Sequence, residues 1–184
     1  MSNGPVGWVI ARTMQWTEAD VYDTVAEMLD LQPDDELLDI GCGPGAFLAT
    51  KAPGARRVVG LDPSPTMLRV AERKLADRLE TGTARLVTGS AAELPFDDGE
   101  FTAVTAIFAP VDRDEVFRVL RPGGRFVVAD NDPRKSQDEP ATRWGRQRWT
   151  EAEHRRMLQD AGFADPSVRG GGSYVFLSCR KPSD

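Results

Sequence analysis

The chain of 184 residues has little from which to build a metal or sulfur site: two cysteines, Cys42 and Cys179, and a single histidine, His154. Two thiols make neither a disulfide framework nor a Cys-rich zinc site. Both cysteines read as small, reduced fillers of the interior, and no metal is expected. No apolar run approaches the ~18 residues of a membrane span. The opening MSNGPVGWVIARTMQW lacks a secretory cleavage pattern, so the chain reads as cytoplasmic. Repeats and low-complexity tracts are missing too. Lys and Arg number 23 against 29 Asp and Glu, a net charge of −6. That balance argues against a nucleic-acid partner, because phosphate binding is driven by Lys and Arg.

What is there is ordinary in bulk and patterned in detail. The chain is 40% hydrophobic and 28% charged, a globular composition, and long enough to bury a core as a single domain, 1–184. Residues 17–31 carry Val21, Val25, Met28 and Leu29 on one helical face behind Thr17 as N-cap, so 1–31 reads as an N-terminal helical segment. After Pro33-Asp34-Asp35, ELLDI (36–40) reads as a buried strand and RRVVGL (56–61) as a second. Ser64-Pro65 is a helix start, followed by Met67, Leu68, Ala71, Leu75 and Leu79 at helical spacing. Strands are predicted at 84–89, 101–108 and 124–130, with a short helix from Asp112 to Leu120 and a turn at Pro122-Gly123-Gly124. A helix over 150–161 stops at Gly162, and 164–169 with 173–180 form a hairpin around three glycines. Such alternation predicts a largely parallel sheet covered on both faces, with its ligand beyond the carboxyl ends of the strands.

The first strand runs straight into Gly41-Cys42-Gly43-Pro44-Gly45, and the acid Asp62 stands at the end of the second strand. That combination fits NAD as well as S-adenosylmethionine. Three features separate them. Pro44 and Gly45 replace the helix-entry residues that hold a pyrophosphate. Asp39, two residues before the first glycine, would repel phosphates and favour a cationic amino group. The chain then finishes in a hairpin instead of a second nucleotide-binding half. The reading is S-adenosylmethionine.

With these residues in view the chain resembles the class I S-adenosylmethionine-dependent methyltransferases, most of all the small-molecule group that includes the ubiquinone-type enzymes. The resemblance rests on DIGCGPG (39–45), VVGLDPSPTML (58–68), GSAAELPFDDGEFTAV (89–104), RVLRPGGRFVV (118–128) and AGF…RKP (161–182). It implies a Rossmann-like three-layer α/β sandwich whose seven-stranded, mostly parallel sheet has the order 3-2-1-4-5-7-6, the last strand antiparallel. It implies that Gly41, Gly43 and Gly45, with Cys42 among them, approach the methionine and ribose portion, and that Asp39 assists at the cationic end. Asp62, beside Pro63, would take the ribose hydroxyls, Met67 would pack near the adenine, Ser90 and Ala91 would meet its edge, and Ala106 or Ile107 would close the pocket. The chain departs from the pattern at Ser90, where many relatives carry Asp, at Thr102 in the FDxV block, and in the short loop IFAPVDRDEVFRVL. The Phe-Ala-Pro there is similar to the Tyr-Ala-Pro of guanine-N1 ribosomal RNA methyltransferases, so RNA methylation is an alternative to a small-molecule acceptor. A cofactor-binding protein that has lost transfer is another.

A sulfonium is already a strong methyl donor, so the protein need only position an acceptor and exclude water. Asp130 and Asp132 are the candidate bases, Asp112 reads as a helix cap, and His154 shares the apolar face of its helix with Met157, Leu158 and Ala161. In ATRWGRQRW (141–149), Arg143, Arg146 and Arg148 alternate with Trp144 and Trp149, which suits an anionic or aromatic acceptor or, equally, a loop anchored by its tryptophans. Residues 7–16 are a candidate lid.

Overall fold

The computed structural model describes residues 19–131, 150–171 and 174–183. The expectations for Thr17, the lid at 7–16, Asp132, Trp144 and Arg146 lie outside the described residues.

Helix α1 (Ala19–Leu29) leads into β1 (Glu36–Ile40), the glycine turn, α2 (Ala46–Lys51) and β2 (Arg57–Asp62). Then come α3 (Pro65–Lys74), α4 (Ala76–Glu80), β3 (Ala84–Thr88), β4 (Phe101–Ile107), α5 (Arg113–Val119) and β5 (Leu120–Asn131). The chain finishes with α6 (Glu151–Asp160), β6 (Ala164–Gly171) and β7 (Tyr174–Arg180). The sheet order is β3-β2-β1-β4-β5-β7-β6. Strands β1 to β5 pair in parallel and β7 runs antiparallel to both β5 and β6, the order that the resemblance implies. The chain builds outward from β1 through β2 to β3, then crosses over to β4, so the crevice lies where β1 and β4 end side by side.

Alternation along each strand splits the core into two layers. Leu37, Val58, Ala103 and Val127 face α1 with its Val21, Val25 and Leu29. Leu38, Ile40, Val59, Val104 and Phe126 face Val116 and Val119 of α5 and Leu158 of α6. Leu37, Leu38, Phe101 and Phe126 are at most 1% exposed, and burial of a side chain of this size is worth about 1.5–3 kcal/mol.

Local chemistry sets the helix ends. Ser64 Oγ accepts from the Met67 N–H with Pro65 at the first helical position, and Thr150 and Glu153 form a reciprocal capping box on α6. Gly162, at φ 90°, ends α6, with the Phe163 N–H reaching back to the Leu158 carbonyl. Two expectations change. The helix predicted to run through Leu79 is broken at Leu75 into α3 and α4. Strand β5 begins at Leu120, paired with Phe101, and the turn at Pro122–Gly124 is an irregularity inside its ladder, which resumes where Arg125 pairs with Ala103.

Candidate functional site

The turn after β1 needs its glycines for backbone shape, since Gly41, Gly43 and Gly45 have φ of 72°, 52° and 70°. What surrounds them differs. A Cβ on Gly41 would lie 2.4 Å from Ala109 Cβ, and one on Gly45 would lie 2.8 Å from Ala71 Cβ. Beside Gly43 the nearest neighbour would be the Gly41 carbonyl at 4.0 Å. Gly41 and Gly45 therefore interlock protein with protein, and Gly43 alone faces open space. The Gly41 and Cys42 N–H groups both donate to the Leu61 carbonyl, at 2.7 and 3.0 Å, which clamps the turn onto the end of β2. Cys42 points inward, its Sγ 2.7 Å from where a Gly60 Cβ would stand, and burial pushes its thiol well above the usual range. It fills the core. Cys179 is buried in the opposite layer, its thiol pushed up to about 12 by burial.

Two carboxylates stand at this rim, on the same face of the sheet as α1. Asp62 accepts from the Gly43 N–H through Oδ2 and from the Ser64 N–H through Oδ1, both at 2.8 Å, and burial raises its affinity for a proton. Asp39 is 2% exposed and has no hydrogen bond or ion pair among the described residues. Burial first, and then the nearby Asp62, hold its pKa well above the carboxylate range. A buried acid without a partner, next to a second acid and an open glycine turn, is a receptor for positive charge.

Around the edge of the sheet from this turn lies a cleft of about 330 Å³. It is lined by Leu61 in β2 and Pro63 after it, Gly89–Ala92 after β3, Ala109–Asp112 after β4, and Gly41 of the glycine turn. Among the described residues, only Ser90 and Asp112 bring polar side chains to it and none of the lining is basic.

The sequence-derived residues divide accordingly. Gly41, Pro63, Ser90 and Ala91 line the cleft, and Asp39, Gly43 and Asp62 form the adjoining rim. Met67 sits half-buried in the first turn of α3, outside the lining. Ala106 and Ile107 are not in the lining of this cleft. Ala106 is wholly buried in the layer of α5, and Ile107 turns to the other layer. The wall is instead made by Ala109–Asp112, because Phe108 adopts a left-handed φ of 54° with its N–H on the Ala129 carbonyl, which swings the chain over the turn. A left-handed aromatic residue is not legible from sequence. Asp130 accepts from the Asn131 N–H at 2.8 Å and lies near His154, and strand parity sets it on the α5 and α6 face, opposite Asp39 and Asp62. His154 is 8% exposed, and its Nδ1 donates to the Thr150 carbonyl at 3.1 Å. Burial lowers its pKa, so it is a neutral core side chain.

The sheet order, the glycine turn and the acid at the end of β2 define a Rossmann-like domain of the methyltransferase type. Residues 37–124, just under half of the chain, match the family described as a methyltransferase domain. It is 37% identical over 110 residues to a demethylmenaquinone methyltransferase of Symbiobacterium thermophilum, covering 54% of this chain and 43% of that one. A demethylmenaquinone methyltransferase of Thermus thermophilus is 43% identical over 108 residues, 53% of this chain and 47% of its own. The matched segment thus spans less than half of these relatives' length. Among solved structures, geranyl diphosphate C-methyltransferase from Streptomyces coelicolor superposes with a TM-score of 0.72 at 20% identity, over 89% of this chain and 79% of that one. That likeness is one of fold.

Proposed function

We propose that this chain binds S-adenosylmethionine at the carboxyl rim of its sheet and transfers the methyl group to a small-molecule acceptor. The observation that carries the reading is Asp39: a buried carboxylate without a partner among the described residues, over a glycine turn, beside a cleft whose described lining holds no basic residue. An amino-acid ammonium answers the first feature, and an uncharged purine suits the second. Bound S-adenosylmethionine supplies an electrophilic methyl on a sulfonium. Gly43 leaves room for its chain, Asp39 neutralises its cationic end, and Asp62 offers lone pairs to its ribose while its own backbone bonds hold it still. The residues that position the acceptor have no nucleophilic work to do. They fix its approach and keep water out.

For the acceptor, the names of the quinone-methylating relatives and one structural feature point the same way. Phe108 and Tyr174, both half-buried, set their rings 5.5 Å apart where β4 ends and β7 begins. That pair is a surface for a flat, apolar acceptor. Among the described residues no helix is long and apolar enough to cross a membrane, and we place the work of the protein in the cytoplasm as one domain.

Calorimetry with S-adenosylmethionine, S-adenosylhomocysteine and NAD tests the binding half. Heat with the first two and none with NAD is the expected result, and NAD binding alone would end the reading. Formation of S-adenosylhomocysteine in the presence of hydroquinones or phenols tests transfer. Binding without turnover on any acceptor would leave a cofactor-binding protein and remove the enzyme.

A further inference from the structure

We propose that Asp112, and not Ser90, is the side chain that accepts from the exocyclic amine of the adenine, and so decides which purine the cleft takes. The inference rests on the cofactor reading above. Among the described residues the cleft offers two polar side chains, Ser90 on the segment after β3 and Asp112 on the segment after β4. The two segments are joined where the Asp112 N–H donates to the Ala91 carbonyl at 3.4 Å. Ser90 uses one of its two lone pairs on the Ala92 N–H at 3.2 Å, which closes a local turn, and its neutral hydroxyl is a weaker acceptor than a carboxylate.

Asp112 is used on one side only. Its Oδ1 accepts from the Asp114 and Glu115 N–H groups at 3.0 and 3.1 Å, as the N-cap of α5. Capping holds the carboxylate in place, and Oδ2 accepts nothing among the described residues. A carboxylate oxygen fixed by capping and with free lone pairs is the strongest acceptor in the cleft for an amine N–H. A purine with a carbonyl at the same ring position would set lone pair against lone pair there. One carboxylate then ends a helix with one oxygen and reads a base with the other.

The test is calorimetry of S-adenosylhomocysteine against S-inosylhomocysteine, which replaces that amine by a carbonyl. Wild-type protein should prefer the adenosyl ligand by about tenfold or more, the strength of a hydrogen bond to a charged group. In Asp112→Asn the amide oxygen still caps α5, because Asn caps as well as Asp. The amide nitrogen, a donor, then turns to the cleft. The preference should fall at least about tenfold or invert in favour of the inosyl ligand, the exchange expected when an acceptor becomes a donor. Asp112→Ser, which caps but cannot reach, should level the two ligands and guards against a folding artefact in the first variant. Ser90→Ala should weaken both ligands alike and keep their ratio. An unchanged ratio in both Asp112 variants, or a ratio lost in Ser90→Ala, overturns the proposal while the cofactor reading survives. Failure of the wild type to bind either ligand removes both.

Discussion

Where β1, β2, β4 and β5 begin, Asp35, Glu36 and Glu100 meet Arg57, Arg121 and Arg125. Where the same sheet ends, among the described residues Asp39 has no partner and Asp62 has only the Gly43 and Ser64 N–H groups. At the amino end Arg125 pairs with Asp35, whose other bonds come from Thr102 Oγ1 at 2.7 Å and the Gln32 N–H at 2.6 Å. Arg57 bridges Glu36 at 2.9 Å and Glu100 at 2.8 Å, with Arg56 also on Glu36. The two ends bury acids of the same kind a few residues apart in β1. One end satisfies them within the chain; the other leaves them for something that arrives. A buried acid without a cation costs stability, and its retention at the carboxyl rim marks where binding offsets that cost.

The comparison can be broken most forcefully at the amino end. Arg125→Met leaves Asp35 buried without its cation, which should cost about 3 kcal/mol of stability. Urea unfolding reads that loss, and cofactor affinity should hold; weaker binding with unchanged stability would erase the distinction between the ends. Asp62→Ala should do the converse, weakening S-adenosylhomocysteine by about 1.5–3 kcal/mol through lost hydrogen bonds to a charged group. Equal calorimetric affinity in the variant would remove Asp62 from the site.

Asp39→Asn sharpens the contrast, because it should bind the cofactor worse and fold better. The folded-state pKa of Asp39 is raised, so the folded chain holds its proton more tightly than the unfolded one. Its unfavourable contribution is therefore absent below the ordinary value of 3.8, grows as pH rises through the raised value, and is complete above it. The variant should gain about 1 kcal/mol at neutral pH and nothing in acid, a pattern that melts at several pH values would read. The smallest effect belongs to a paired acid near the cleft. Arg118 holds Glu115 down to about 2, and the pair carries the loop after β3 through the Leu94 N–H and the Leu94 and Phe96 carbonyls. Because both side chains are partly exposed, Glu115→Gln should cost about 0.5–1 kcal/mol at neutral pH. That stabilisation is complete above the ordinary 4.5 and lost as pH falls through about 2, so the gap between variant and wild type should close over this range. A gap that widened in acid would contradict the pairing.

What could be read from the sequence was what short-range chemistry dictates. Strand β1 lies at 36–40 as the apolar run indicates, Ser64-Pro65 starts α3, Asp112 caps α5 and Gly162 stops α6. What escaped depends on partners distant in the chain. The start of β5 at Leu120 is fixed by its pairing with Phe101. The spacing of Gly41 and Gly45 speaks for close approach, but what approaches is Ala109 and Ala71. The wall at Ala109–Asp112 follows from a left-handed Phe108 tied to Ala129, and no local propensity favours that conformation. The carboxylates were visible as residues. That Asp39 lacks a partner, the property on which the functional reading rests, exists only once the surrounding strands are assembled.

One more consequence follows from where β7 lies. It is synthesised after β6, yet it sits between β5 and β6 and supplies the ladder partner for each residue from Arg125 to Asn131. While a ribosome is making this chain, the outer edge of β5 has no neighbour, and β6 has nothing to join, until residues 174–180 emerge. An apolar strand waiting with open backbone groups is prone to join the wrong chain. A stall or premature stop before Tyr174 would leave the glycine turn and both rim acids already made but the sheet unclosed. Such fragments should collect as insoluble material in the cell, and the timing of translation near that point becomes part of how much working protein is obtained.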